Sequence, residues 1–174
     1  MKSFIEAILF SARSHSGQHR KDGHTPYINH PLEVMQLVSS ATGDGDILIA
    51  AVLHDVVEDT PVTGNEIAER FGPRIARIVI ELTDDKFLPK EERKRQQLLT
   101  SGQLSKEARL IRICDKICNV HDILYAPPRD WPVSRRKDYL EWANAVVNKI
   151  RGTHEELEKR FDELYREGVK FLDK

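Results

Sequence analysis

Apolar residues in this chain return every three or four positions in one segment after another, a period that belongs to helices and not to strands. The first instance runs from about Ser3 to Ser16, where Phe4, Ile5, Ile8, Leu9 and Ala12 share a face and predict an amphipathic helix turned toward a core. Gly17 ends it, and HRKDGHTPYIN reads as a polar loop with a turn at Asp22–Gly23. Pro31 suits the first turn of a second helix, and a residue before proline avoids helical dihedrals. His30 is therefore expected at the cap, its ring projecting into a cavity. Asp46 to about Glu58 reads as a third helix, apolar nearly all round and hence buried.

Further on, Thr63 with Glu66 forms a capping box for a short helix that stops near Gly72. Pro73 opens another, through Ile75, Ile78, Val79 and Leu82. The charged stretch PKEERKRQQLL is an exposed helix, and Ser105 caps the next, which carries Leu110, Ile111, Ile113 and Ile117. Beyond the Pro127–Pro128 loop, helices begin near Ser134 and Thr153, with Thr153 and Glu156 as a second capping box. No repeat or linker divides the 174 residues, a length that suits one domain with its own core. The expectation is a single all-α domain over residues 1–174, compact and multi-helical, with at most a short hairpin.

The formal net charge of −1 provides no basic field for nucleic acid, so an anionic substrate must be held by local clusters. Cys114 and Cys118 are four apart, on one face of a helix, and read as small packing residues instead of a disulfide framework. A reducing, cytoplasmic location follows. The N-terminal apolar residues imitate a signal peptide, but Glu6 interrupts them at helical spacing. The longest apolar run, Ile47 to Leu53, is too short to span a bilayer. A soluble chain without a membrane partner is expected.

The most informative segment is AAVLHDVVEDT, in which His54, Asp55, Glu58 and Asp59 crowd the end of an apolar helix. On an unbroken helix His54 lies over Glu58 and Asp55 over Asp59. Acids and an imidazole at the end of a buried helix repel and are poorly solvated without a cation, and a divalent metal compensates them directly. Further ligands must come from elsewhere, and His30 and Asp115 are the candidates. Asp115 lies in an apolar helical stripe, where it could equally pair with Arg112 or Lys116. Asn119 shares its face.

The order His30, His54–Asp55, Asp115 resembles that of HD-domain phosphohydrolases. RSHSGQHRKDGHTPYINHP, HDVVEDT and RICDKICN together resemble the hydrolase domain of RelA/SpoT-type alarmone enzymes, and LTDDK and LPKEERKR resemble the stand-alone small alarmone hydrolases. The likeness covers about Ala7 to Thr153. It implies a helical HD-domain fold holding one Mn²⁺ on His30, His54, Asp55 and Asp115. Glu58 and Asp59 match the pair that orients and deprotonates the attacking water. Arg20, Lys21, Asn119, Arg135 and Tyr139 match residues that contact the nucleotide. The implied reaction removes the 3′-diphosphate from guanosine tetra- or pentaphosphate, giving GDP or GTP and diphosphate. Arg112 stands where the family usually has Lys, and the two cations are not equivalent donors.

Two imidazoles with two carboxylates form a mixed N/O shell that suits Mn²⁺ and also accepts Zn²⁺ or Fe²⁺. Lys90, Arg93, Lys94 and Arg95, mixed with acids, read mainly as a solvated face, although Lys90 or Arg93 could swing over a phosphate. Trp131 and Trp142 are expected in packing, and His15, His24, His121 and His154 at the surface, which leaves no second metal set. A competing reading keeps the chemistry and changes the substrate, for instance to the 2′-phosphate of NADPH. Another is a nucleotide-binding module without turnover, against which stands the complete set of metal and water-activating residues. A chain this short leaves no space for an alarmone synthetase domain.

Overall fold

The computed structural model describes residues 2–173. In chain order its helices are α1 (Lys2–Ser14), α2 (Asn29–Ser39), α3 (Gly45–Leu53), α4 (Val56–Asp59) and α5 (Gly64–Phe71). They continue with α6 (Pro73–Leu82), α7 (Lys90–Thr100), α8 (Lys106–Tyr125), α9 (Val133–Lys149) and α10 (Glu155–Leu172). A 3₁₀ turn, Ser101–Gln103, joins α7 to α8. Among the described residues there is no strand, and one isolated antiparallel bridge pairs His19 with Pro26. The fold is all-α, as the period required.

Local signals set several ends. Thr63 and Glu66 make both bonds of the capping box on α5, Pro73 sits in the first turn of α6, and Ser105 Oγ accepts from Ala108 N–H to cap α8. In the loop after α1, the Asp22 carboxylate accepts from the backbone of His24 and Thr25, and Gly23 takes φ +84°. Such a left-handed position suits glycine, which has no Cβ to clash.

Helix α3 is the hub, buried from Ile49 to Leu53 and packed by α1, α2 and α6. Helix α8 is its long counterpart, buried along most of its length between α2, α6, α9 and α10. Helix α10 approaches α9 closely at Gly168, where a Cβ would stand 2.9 Å from Leu140 Cδ2. No helix among the described residues is long and apolar enough to cross a membrane.

Four local expectations are corrected. The segment from Asp46 to Glu58 is two helices, broken at His54–Asp55. His54 Nδ1–H donates to Ala51 O at 2.8 Å, taking the acceptor that Asp55 N–H needs to continue the helix. His30 lies inside the first turn of α2, which opens through Asn29 N–H to Pro26 O and His30 N–H to Tyr27 O. Helix α10 is capped by His154 and by Glu158, which accepts from the N–H groups of Thr153 and His154. On α1 the fully buried positions are Ala7 and Ser11, continued by His15 just past its end; Phe4 and Ile8 pack against the core as expected, while Ile5 and Leu9 are exposed. Small side chains at Ala7 and Ser11 let α1 lie close on α3, and that contact turns Ile5 and Leu9 outward.

Candidate active site

The break between α3 and α4 decides the site. Adjacent residues on a continuous helix point about 100° apart, so His54 and Asp55 would diverge. With Asp55 at φ −96° and ψ −7°, both side chains turn to one side, and Asp55 Oδ2 lies 3.3 Å from His54 Nε2. The first turn of α2 contributes His30, whose Nε2 is 3.7 Å from Asp55 Oδ2 and 3.2 Å from Asp115 Oδ1. Asp115, midway along α8, is 3.8 Å from His54 Nε2. Four residues expected together from distant parts of the sequence converge. Three of them, His30, His54 and Asp115, offer ligand atoms all within 4.8 Å of one another.

The cluster fits a cation. With Nδ1–H given to Ala51 O, the neutral His54 ring presents its lone pair at Nε2, buried and without a hydrogen-bond partner. That nitrogen faces two carboxylate oxygens, which hold either a proton or a metal cation at this point. Burial pushes the His30 imidazole below its ordinary pKa. For His54, burial acts in the same direction, but Asp55 and Asp115 outweigh it and raise the group to about 9. Burial also disfavours charge on the two acids, yet both lie below the usual carboxylate range. Asp55 is held down by His54 and His30, and Asp115 by Lys116 and the imidazoles.

One turn on, Glu58 and Asp59 occupy different surroundings. Glu58 does not lie over His54, because the helix is broken. Its Oε2 accepts from Asp84 N–H at 3.1 Å, and Oε1 is 3.6 Å from Arg93 Nη1. Burial, then the charges of Asp84 and Asp55, raise its pKa to about 7. Asp59 accepts from Tyr27 Oη at 2.9 Å and pairs with Lys86. Glu58 is thus poised to exchange a proton near neutrality.

A cavity of about 590 Å³ opens onto Asp55, Glu58, Asp59 and Asp115. Most of the rest of its lining is aromatic and cationic. Arg135 Cζ lies 4.2 Å from the centre of the Trp131 ring, with Lys21 Nζ at 5.2 Å and Lys90 Nζ at 5.1 Å. Lys116 Nζ lies 4.5 Å and Lys94 Nζ 5.6 Å from Trp142, and Tyr139 is buried between the two tryptophans. Arg20 borders the cavity, but its guanidinium is committed to Asp122 and Asn119. Asn119 in turn donates to Asp115 Oδ1 at 2.5 Å.

Sequence reasoning missed part of this wall. Trp131 and Trp142 pack against the core as expected but also face the cavity, and Lys90, Arg93 and Lys94 line it, whereas Arg95 pairs outward with Glu92. The spacing of Arg135, Tyr139 and Trp142 on one face of α9 was the available signal. Asp115 pairs with Lys116 at 3.0 Å as well as meeting the imidazoles, and Arg112 donates to Leu82 O instead. His15, expected at the surface, is buried beneath Tyr27 with ring centres 4.7 Å apart. Cys114 and Cys118 are free and buried, as their spacing suggested, and burial pushes the Cys114 thiol up to about 12.

A family model described as HD domain matches residues 7–138. Guanosine-3′,5′-bis(diphosphate) 3′-pyrophosphohydrolase MESH1 of Mus musculus is 43% identical over 166 residues, covering 94% of this chain and 93% of its own. The protein of the same name from Drosophila melanogaster is 41% identical over 167 residues, covering 94% and 93%. Among solved structures, a metazoan ortholog of SpoT that hydrolyses ppGpp superposes with a TM-score of 0.93 at 40% identity, over 96% of each chain.

Proposed function

This chain belongs to the HD-domain family, in the group of the MESH1 pyrophosphohydrolases, and we propose that it removes the 3′-diphosphate of guanosine-3′,5′-bis(diphosphate). The observation that carries this reading is the convergence of His30, His54, Asp55 and Asp115 beside a cation-lined cavity. The HD domain implies a divalent metal, and these four side chains are the ones to hold it. The mixed N/O shell suits a single Mn²⁺ and would also take Zn²⁺ or Fe²⁺. When bound, the ion supplies Lewis acidity toward a phosphoryl oxygen and makes water a stronger acid.

The chain's own residues do the rest. Glu58, with its pKa near 7, accepts the proton of the attacking water, and Asp59 orients that water. A P–O bond forms from water while the bond from phosphorus to the ribose 3′ oxygen breaks. The 3′ oxygen takes up a proton, and diphosphate leaves with GDP as the other product, or GTP where the substrate is the pentaphosphate. Lys21, Lys90, Arg93 and Arg135 neutralise phosphate charge from the cavity wall. Asn119 and Tyr139 meet the ribose side, and Arg20 serves by bracing Asn119. The substrate is a small nucleotide and not a nucleic acid, the setting is cytoplasmic, and the chain is a single HD hydrolase domain.

Release of diphosphate, screened over nucleotides with Mn²⁺, Mg²⁺ or Zn²⁺, tests this reading. The expected result is turnover of guanosine tetraphosphate to GDP and diphosphate, lost in Asp55→Ala. Phosphate release from NADPH with indifference to guanosine tetraphosphate would move the chemistry to another substrate. Saturable binding without turnover under every metal would overturn the enzymatic reading.

A further inference from the structure

Two neighbouring acids of the site share one hydroxyl. Tyr27 Oη lies 2.7 Å from Asp55 Oδ2 and 2.9 Å from Asp59 Oδ2. A phenol has one proton, so both carboxylates sit within one hydrogen bond of the same donor. Two like charges held this close repel, and a shared donor offsets the repulsion while keeping the acids at fixed spacing.

Helix α4, which carries Asp59, is a single turn of four residues, too short to hold its own shape. Its last carbonyls need partners from outside. Gln18 supplies one, donating Nε2–H to Asp59 O at 2.9 Å. The orientation of that amide is set from behind, since Gln18 Oε1 accepts from His15 Nδ1–H at 2.8 Å. Gln18 O accepts from Tyr27 N–H at 3.0 Å, and the His15 ring backs the Tyr27 ring. His15 is buried, at 3% exposed, while Gln18 and Tyr27 are half-buried and Tyr27 borders the cavity with its hydroxyl turned to the two acids.

We propose that His15, Gln18 and Tyr27 form a positioning brace that fixes the Asp59 carboxylate beside Asp55 and so acts on the chemical step, not on substrate binding. None of the three needs to touch the nucleotide. The proposal rests on the hydrolase reading for its kinetic consequences, and on geometry alone for its structural ones.

The test combines kinetics with amide hydrogen exchange. In Tyr27→Phe, kcat falls about tenfold to a hundredfold, the range for lost outer-shell partners, while KM stays within about twofold. Gln18→Met lowers kcat as well, and in the metal-free protein its Asp59 and Thr60 amides exchange about tenfold faster. Combining the two changes costs no more than the worse one alone, because the brace acts as a unit. His15→Asn, whose amide can offer the same N–H to Gln18, restores the rate that His15→Leu loses. A Tyr27→Phe protein with unchanged kcat, KM and kcat moving together, or losses that simply add would overturn the brace. A wild-type protein inert toward guanosine tetraphosphate sinks the substrate reading instead, while exchange at Asp59 and Thr60, read without substrate, still decides the brace.

Discussion

Arg20 grips Asp122 with two nitrogens, Nε at 3.0 Å and Nη2 at 2.6 Å, and so ties the loop after α1 to the far half of α8. The pair is mostly shielded from solvent, and burial, which would lower the Arg20 pKa, is outweighed by Asp122. The same guanidinium holds Asn119 against Asp115.

Replacing Arg20 by Met leaves Asp122 without its partner. The expected loss lies between that of a surface pair and a fully buried one, about 2 kcal/mol, which in a domain of this size lowers Tm by about 4–8 °C. Arg20→Lys recovers only part, since lysine lacks the planar fork. Calorimetric melts of the three proteins check this, and an unchanged Tm in Arg20→Met would discard the bracket.

Metal should stabilise the protein through the four converging side chains. At a free Mn²⁺ concentration of a hundred times Kd, binding to the folded state alone contributes about 2.7 kcal/mol, raising Tm by about 5–11 °C. Asp115→Ala abolishes the shift. A thermal-denaturation series with EDTA and then Mn²⁺ reads this directly, and equal shifts in wild type and variant would place the ion elsewhere.

Glu58 gives metal-free protein a pH dependence opposite to that of an ordinary carboxylate. Its folded pKa of about 7 lies above the unfolded value of 4.5, so between these pH values the folded state binds more proton. Stability therefore falls as pH rises from 4.5 toward 7. Glu58→Gln removes that slope. Urea midpoints across this window, with EDTA present, provide the measurement, and parallel curves for both proteins contradict the assignment.

Trp131 orders three cations at once, through Arg135, Lys21 and Lys90. Removing the ring in Trp131→Leu frees those side chains, and the cost falls on binding. KM for guanosine tetraphosphate rises about tenfold, from losing roughly 1–2 kcal/mol of cation–π order, and kcat changes little. Steady-state kinetics separate the two, and a loss confined to kcat speaks against this role.

Much of the fold was legible because helix signals are local. Period, capping residues and proline positions act over a few neighbours, so α5, α6 and the start of α8 fall where Thr63, Pro73 and Ser105 place them. The convergence of His30, His54, Asp55 and Asp115 was legible too, since imidazoles and acids in apolar surroundings call for a compensating charge, and the family resemblance named their order. The basic wall was only partly so, because a charged helix such as α7 presents cations on every side and composition cannot say which face meets a cavity.

What the sequence determined, then, is where helices form and which residue types the chemistry can draw on. The tertiary structure alone decided that His54 takes Ala51 O and breaks the helix, that His15 is buried under Tyr27, and that Trp131 and Trp142 turn toward the cavity. The reason is physical. A helix period specifies a face, but competition for a single hydrogen-bond acceptor and the close approach of distant helices depend on groups that meet only after the chain has packed.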